Sequence, residues 1–381
     1  MNARFLRFLV VTVDYPPIEG GISTLAANVS RELATLGHEV TVVAPHIDAR
    51  EPEGPNVPVR VVRFRGYTLG WLRLFPLIRT AWPHVPHHDY ILCINVAYGG
   101  LFGLAAKTLF GAHYAVFAYG FEFLKFKRLP PLAWLYRLIY SQARKVIAIS
   151  TFTRESLIEF GARETKIVTI LPGAQSERPI SADRINEART RYVLDGKRVI
   201  LAVGRLVPRK GHLALIRAMP RVLDSEPNAH LVVVGRGPAV SSCSREAVKL
   251  GVREHVTLAG RLSEEELAAL YALCEVFALP TGEEAGGHVE GFGLVFAEAQ
   301  AYAKPVVAGR SGGVMDAVID GETGLLVEPE NPQQLADALS SLLHNPDLSR
   351  RLGENGRRRV ERELNWREFT RKLIDAIETR P

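Results

Sequence analysis

Short apolar runs rich in β-branched residues alternate with helical stretches along almost the whole chain. That rhythm constrains the fold more than any other feature. In the first half the runs are 5–13, 39–45, 59–64, 90–95, 114–119, 145–150 and 166–171. A second series occupies 198–204, 230–235, 256–260, 275–280, 305–309 and 324–327. Strands this apolar must be covered on both faces, and strands separated by helices pair in parallel. One helical stretch is 22–37, where Leu25, Val29, Leu33 and Leu36 recur every three or four residues and Gly37 follows. The expected architecture is α/β, with two doubly wound, Rossmann-like domains facing a central cleft.

The chain has 381 residues. At roughly 150 residues per domain this suits two domains. The polar stretch 173–196 interrupts the strand–helix rhythm and is read as an interdomain linker. The first domain then covers 1–172 and the second 197–365. Two further helical segments, 331–345 and 347–380, are expected to break near Asn365 and Trp366.

Composition narrows the function classes. Three cysteines, Cys93, Cys243 and Cys274, make neither a disulfide framework nor a CxxC pair, so a zinc site built on them is not expected. His84, His87 and His88 lie in a Pro-rich turn and are not expected to hold a metal. No apolar run reaches the ~20 residues of a membrane span. Basic residues ahead of an apolar stretch at the N-terminus resemble a leader. Asp14 and two prolines follow without a small-residue cleavage site, so a first strand is expected there, and Asn28-Val29-Ser30 is then a chance glycosylation match. Residues 1–180 hold 20 Lys and Arg against 13 Asp and Glu, and the remainder 27 against 28. The basic excess of the first half suits an anionic partner. No nucleic-acid-binding motif is present.

Several short constellations carry chemistry. In 290–301, EGFGLVFAEAQA, Glu290 and Glu298 stand eight apart. Gly291 and Gly293 flank Phe292, and a helix is expected to start near Leu294. Glu290 is thus in the loop and Glu298 about a turn inside the helix. Such a loop offers backbone N–H groups and a helix dipole to an anion, while a carboxylate can accept both hydrogen bonds of a vicinal diol. After the first strand of the second series comes VGRLVPRKG, which places Gly204, Arg205, Arg209 and Lys210 where open α/β sheets bind ligands. Cations there suit a diphosphate. Gly235 and Gly237 form a tight turn after the next strand. In the first half, DYPPIEGG puts Gly20 and Gly21 at the opening of the first helix, and AYGFEF places Tyr119 and Glu122 after a strand. Two stretches, 63–82 and 123–146, interleave aromatic and basic residues. They suit either a membrane interface or packing into the first domain with the basic residues in solvent.

Together these residues resemble the retaining, nucleotide-sugar-dependent glycosyltransferases of family 4, which have the GT-B fold. The resemblance runs through PPIEGG, GHEVTVVAP, GRLVPRKG, VVVGRGP, EGFGLVFAEA and SGGVMDAVIDGETGLLVEP, and the pattern is closest to phosphatidylinositol mannosyltransferase-like members. It implies transfer of a hexose from a nucleoside-diphosphate sugar to an acceptor hydroxyl on a glycan, a glycolipid or a small molecule. Glu298 would hold the ribose. Arg205 and Lys210 would neutralise the diphosphate, so neither a metal nor another cofactor is required. Glu290, with the backbone of Phe292, Gly293 and Leu294, would hold the sugar and β-phosphate. Gly20 and Gly21 would approach that phosphate from the first domain, and Gly204, Gly235 and Gly291 would shape the donor site. Arg261 and Leu262 would lie near the base. Glu19, Tyr119 and Glu122 would face the acceptor, with Tyr119 also catalytic.

The resemblance further implies that helix 366–381 crosses back to the first domain. The basic excess of the first half, concentrated in the two aromatic-rich stretches, is read as reversible attachment of a cytoplasmic enzyme to the cytoplasmic face of an anionic membrane, and hence as pointing to a lipid-linked acceptor. Two departures stand out. Tyr119 replaces the family's usual histidine, and Pro172-Gly173-Ala174-Gln175 replaces its Asn-Gly-Val-Asp turn. A nucleotide-sugar epimerase and a non-catalytic nucleotide-sugar-binding subunit are the alternative readings.

Overall fold

Each expected run forms a strand in the computed structural model, which describes residues 5–47, 58–124, 129–175, 180–284 and 287–379. The chain divides into two compact units, Met1–Pro172 with Trp366–Pro381, and Gly173–Asn365.

The first unit is built on β1 (Arg7–Val11), α1 (Gly21–Thr35), β2 (Glu39–Pro45), β3 (Val59–Phe64), α2 (Leu74–Ala81), β4 (Tyr90–Cys93), α3 (Leu101–Phe110), β5 (Tyr114–Ala118), α4 (Phe121–Leu124), α5 (Pro130–Gln142), β6 (Lys145–Ala148), α6 (Thr151–Phe160) and β7 (Ile167–Thr169). Its strands form one sheet in the order β3-β2-β1-β4-β5-β6-β7. Every pairing is parallel, with Val10 opposite Val42 on one side and Leu92 on the other. Phe8, Leu9, Val10 and Val11 are wholly buried, as a parallel strand covered on both faces requires. In α1 the stripe Leu25, Val29 and Leu33 packs inward.

The second unit contains α7 (Ala182–Arg191), β8 (Arg198–Val203), α8 (His212–Ser225), β9 (Ala229–Val234), α9 (Val240–Lys249), β10 (Val256–Gly260), α10 (Glu264–Leu273), β11 (Val276–Leu279), α11 (Leu294–Ala301), β12 (Val306–Gly309), α12 (Val314–Ala317), β13 (Gly324–Val327), α13 (Pro332–His344) and α14 (Pro346–Arg362). The strand order is β10-β9-β8-β11-β12-β13. The sheet therefore changes winding direction between β8 and β11, where the carboxyl ends of neighbouring strands leave a crevice. Residues 182–191, within the polar stretch, form a helix packed on α10, with Arg184 paired to Glu265 at 3.4 Å. They are thus part of the second unit.

The last helix, α15 (Trp366–Glu378), packs in the first unit against α1 and β6. Phe369 stacks on Phe117 with ring centres 6.3 Å apart. Arg144 Nε donates to the Ile377 carbonyl and helps to satisfy the helix end. No described helix is long and apolar enough to cross a membrane.

Candidate active site

Arg209, Lys210 and Glu290 meet at the β8–β11 crevice of the second unit. The loop after β8 contains a single 3₁₀ turn, Pro208–Lys210, that turns Lys210 inward. Gly211 ends this turn at φ +74°, and a Cβ there would lie 2.2 Å from the Pro280 carbonyl oxygen. Only glycine lets the loop pass so close to the strand end. The Gly282 N–H donates to the Arg209 carbonyl at 2.8 Å and ties this loop to the one after β11.

Across that junction, Lys210 Nζ donates to Glu290 Oε2 at 2.6 Å, and Arg209 Nη1 donates to the same oxygen at 2.7 Å. The three side chains are only 11%, 18% and 14% exposed for Lys210, Arg209 and Glu290. Burial works to raise the Glu290 carboxyl, but the Lys210 and Arg209 charges outweigh it and hold the group below its ordinary range. The Glu290 backbone is anchored too, because its carbonyl accepts from Gly313 N–H at 2.9 Å. Gly312, at φ +54°, would place a Cβ 2.6 Å from that carbonyl oxygen. The motif 311–329 thus supports the Glu290 loop.

Gly293, Leu294 and Glu298 stand where the spacing puts them: α11 begins at Leu294 with Gly293 as N-cap, and Glu298 is in its body. Phe292 is buried and Gly291 half-buried. Tyr271, on α10, donates its hydroxyl to Glu298 Oε2 at 2.9 Å and stacks on Tyr302 at 5.6 Å. Gly204 N–H donates to the Val234 carbonyl at 3.0 Å, and Gly235 N–H to the Gly260 carbonyl at 2.7 Å. These bonds join the loops after β8, β9 and β10. Arg261 follows β10 on the surface and Leu262 is half-buried. Arg205 is exposed, and its side chain forms no ion pair among the described residues. Arg209 is therefore the arginine that joins Lys210.

In the first unit Gly20 is the N-cap of α1 and Gly21 its first residue, with no side chain capping the exposed N–H groups. Glu19 is exposed beside them. Tyr119 follows β5, and its N–H donates to Glu122 Oε1 at 2.7 Å. The Tyr119 hydroxyl is buried without a hydrogen-bond partner among the described residues. Burial, with Glu122 and Asp14 adding to it, pushes the phenol well above its ordinary value, so it is a neutral donor.

Sequence reasoning missed a second group at this sheet end. Asn95 Nδ2 donates to Asp14 Oδ2 at 3.3 Å. Burial raises the Asp14 carboxyl, and the Arg73 charge and the Asn95 hydrogen bond draw it back. The Arg73 guanidinium lies 4.3 Å from the Tyr98 ring centre, with Nε buried and unpartnered among the described residues. Asp14 sits just past the first strand run, a position that could have pointed to it.

The two aromatic–basic stretches divide in a way that charge counting does not show. Arg63 donates to the Pro16 carbonyl at 2.8 Å. Arg137 donates to the Phe160 carbonyl at 2.6 Å, and Arg144 caps α15. Lys125, Lys127 and Arg128 lie outside the described residues. Beside Arg65, Arg79 and Arg137, these stretches expose large apolar side chains: Trp71 is 72% and Phe75 64% exposed, and Leu72, Leu132 and Trp134 are exposed as well.

A family profile described as "Glycosyl transferases group 1" matches residues 184–359, and one described as "Glycosyl transferase 4-like domain" matches 20–173. The GDP-mannose-dependent alpha-(1-6)-phosphatidylinositol monomannoside mannosyltransferase of Mycobacterium tuberculosis is 34% identical, over 97% of this chain and 98% of its own length. The Mycolicibacterium smegmatis protein of the same description is 31% identical over 98% of each. Among solved structures, Anabaena HepE in complex with UDP and glucose superposes with a TM-score of 0.82 at 19% identity, covering 98% of this chain and 100% of its own. WaaG, a glycosyltransferase involved in lipopolysaccharide biosynthesis, gives 0.72 at 19% identity, over 97% and 99%.

Proposed function

The chain belongs to the group 1 glycosyl transferases, with the 4-like domain at its N-terminal half and the GT-B fold, and we propose that within this family it is a retaining mannosyltransferase. It moves mannose from GDP-mannose to a hydroxyl of a phosphatidylinositol glycolipid. The observation that carries the reading is the pair of largely buried cations, Arg209 half-buried and Lys210 buried, focused on Glu290 at the switch point of the second sheet. Two desolvated cations at a strand end suit a diphosphate whose negative charge grows as the glycosidic bond breaks. The relatives' GDP-mannose dependence and their phosphatidylinositol mannoside acceptor support the choice of donor and acceptor.

In this reading the second unit holds the donor. Lys210, Arg209 and the exposed Arg205 hold the diphosphate, Glu298 the ribose, Gly235, Arg261 and Leu262 the nucleoside side, and Glu290 with the 291–294 backbone the sugar. The first unit holds the acceptor, near Tyr119, Glu122 and Glu19. The sugar C1–oxygen bond breaks and the nucleoside diphosphate leaves. The acceptor oxygen bonds to C1 on the same face, and its proton passes to the departing phosphate oxygen. The exposed apolar residues around Trp71 and Phe75, with Arg65 and Arg79 exposed beside them, support contact with the anionic cytoplasmic surface of a membrane.

A thermal-shift panel of UDP-, GDP- and ADP-sugars tests the donor, since a ligand that binds only the folded state raises its stability by mass action. GDP-mannose is expected to give the largest shift. A larger shift with a UDP- or ADP-sugar would replace the donor in this proposal.

A further inference from the structure

Resting on the reading that Arg209 and Lys210 receive the donor diphosphate, we propose that Glu290 is an internal counter-anion that occupies these cations when the site is empty and must leave them for the diphosphate to bind. One carboxylate oxygen takes both contacts, at 2.6 Å from Lys210 Nζ and 2.7 Å from Arg209 Nη1. That is the place a phosphate oxygen would take. Two cations so little exposed would be costly to leave without an anion, and Glu290 supplies one. A diphosphate brings more negative charge to the same point. Carboxylate and phosphate repel at that range, and low exposure leaves little solvent to screen them.

The exchange needs only a side-chain rotation. The Glu290 carbonyl stays on Gly313 N–H, and the 311–313 backbone packs against it. Once off the cations, the carboxylate is available to the hydroxyls of the transferred sugar, so arrival of the diphosphate and readiness of the sugar grip are one event. After transfer the exchange runs backwards. Glu290 retakes Lys210 and Arg209 and speeds departure of the nucleoside diphosphate. Glu290 thereby lowers product affinity in return for faster turnover.

Calorimetry and stopped-flow release of GDP test this with wild-type protein, Glu290→Gln and Lys210→Ala, with inorganic pyrophosphate as a probe that does not depend on the base. Glu290→Gln is expected to bind GDP and pyrophosphate at least tenfold tighter and to release GDP correspondingly more slowly. Lys210→Ala is expected to bind both at least tenfold more weakly. Equal or weaker binding in Glu290→Gln, with Lys210→Ala still impaired, overturns the counter-anion role and leaves the diphosphate site standing. Unchanged affinity in Lys210→Ala removes the diphosphate site itself. Should Glu290→Gln fail to fold, Glu290→Asp keeps the charge but shortens its reach. It is expected to tighten binding to a lesser degree, and no tightening counts against the proposal.

Discussion

Lys210 and Glu290 are eighty residues apart in sequence, and Lys210 Nζ lies 2.6 Å from Glu290 Oε2. The strand order puts β8 beside β11 and so brings their following loops together. Replacing Lys210 by Ala is expected to remove a charge-assisted contact worth about 1.5–3 kcal/mol to a bound nucleoside diphosphate. Arg205→Ala is expected to cost less, because an exposed guanidinium is screened by solvent. Calorimetry with GDP ranks the two. Equal losses would put Arg205 on a par with the buried Lys210.

Tyr119 carries a buried hydroxyl with no partner among the described residues and stays neutral across the physiological range. Removing that hydroxyl in Tyr119→Phe is expected to lower turnover about fivefold to thirtyfold, as the loss of a single hydrogen bond near 1–2 kcal/mol does. GDP affinity is expected to hold. Steady-state kinetics beside calorimetry checks both halves, and unimpaired turnover would leave Tyr119 a packing residue.

The strands were legible in the sequence because a parallel strand covered on both faces must be apolar throughout, as β5 and β11 are. Glu290 before the helix and Glu298 within it followed from glycine placement and period. Direction was not legible. Three cations follow β8, and nothing in their order says that the 3₁₀ turn aims Arg209 and Lys210 inward and leaves Arg205 outside. Nor does the sequence of 123–146 say that Arg137 and Arg144 donate to backbone carbonyls of Phe160 and Ile377. The Asp14, Asn95 and Arg73 group escaped notice since its members come from three separate segments that only the sheet order unites.

Two buried histidines set an acid limit on stability. Burial, aided by the Lys210 charge, lowers His212 to about 4, and burial with Lys197 and His255 lowers His230 to about 4. Both values lie below the ordinary 6.5 of an unfolded histidine. Between those limits the unfolded chain binds protons that the folded chain does not. The stabilisation is whole above pH 6.5 and is lost as pH falls towards 4, at about 1.4 kcal/mol per pH unit for each histidine. Urea unfolding from pH 7.5 down to 4.5 is expected to show that decline, and His230→Leu a shallower one. Identical slopes in the two proteins would remove His230 from the account.

The proposed membrane contact is tested at the exposed apolar side chains near α2. Trp71 and Phe75 present the most apolar surface near α2. Burying such a side chain is worth about 1.5–3 kcal/mol. Wild-type protein is expected to sediment with vesicles containing phosphatidylinositol, and Trp71→Ala/Phe75→Ala to remain in the supernatant. Equal sedimentation of both, or none for the wild type, would place the lipid contact elsewhere or remove it.

The stereochemistry of the product tests the central claim most directly. Purified protein is incubated with GDP-mannose, in which mannose is α-linked, and vesicles carrying phosphatidylinositol monomannoside, and the anomeric proton and carbon signals of the new linkage are read by NMR. Retaining transfer predicts a new α-linked mannose on the lipid. A β-linked product, or a changed sugar nucleotide with no mannose on the lipid, would contradict it.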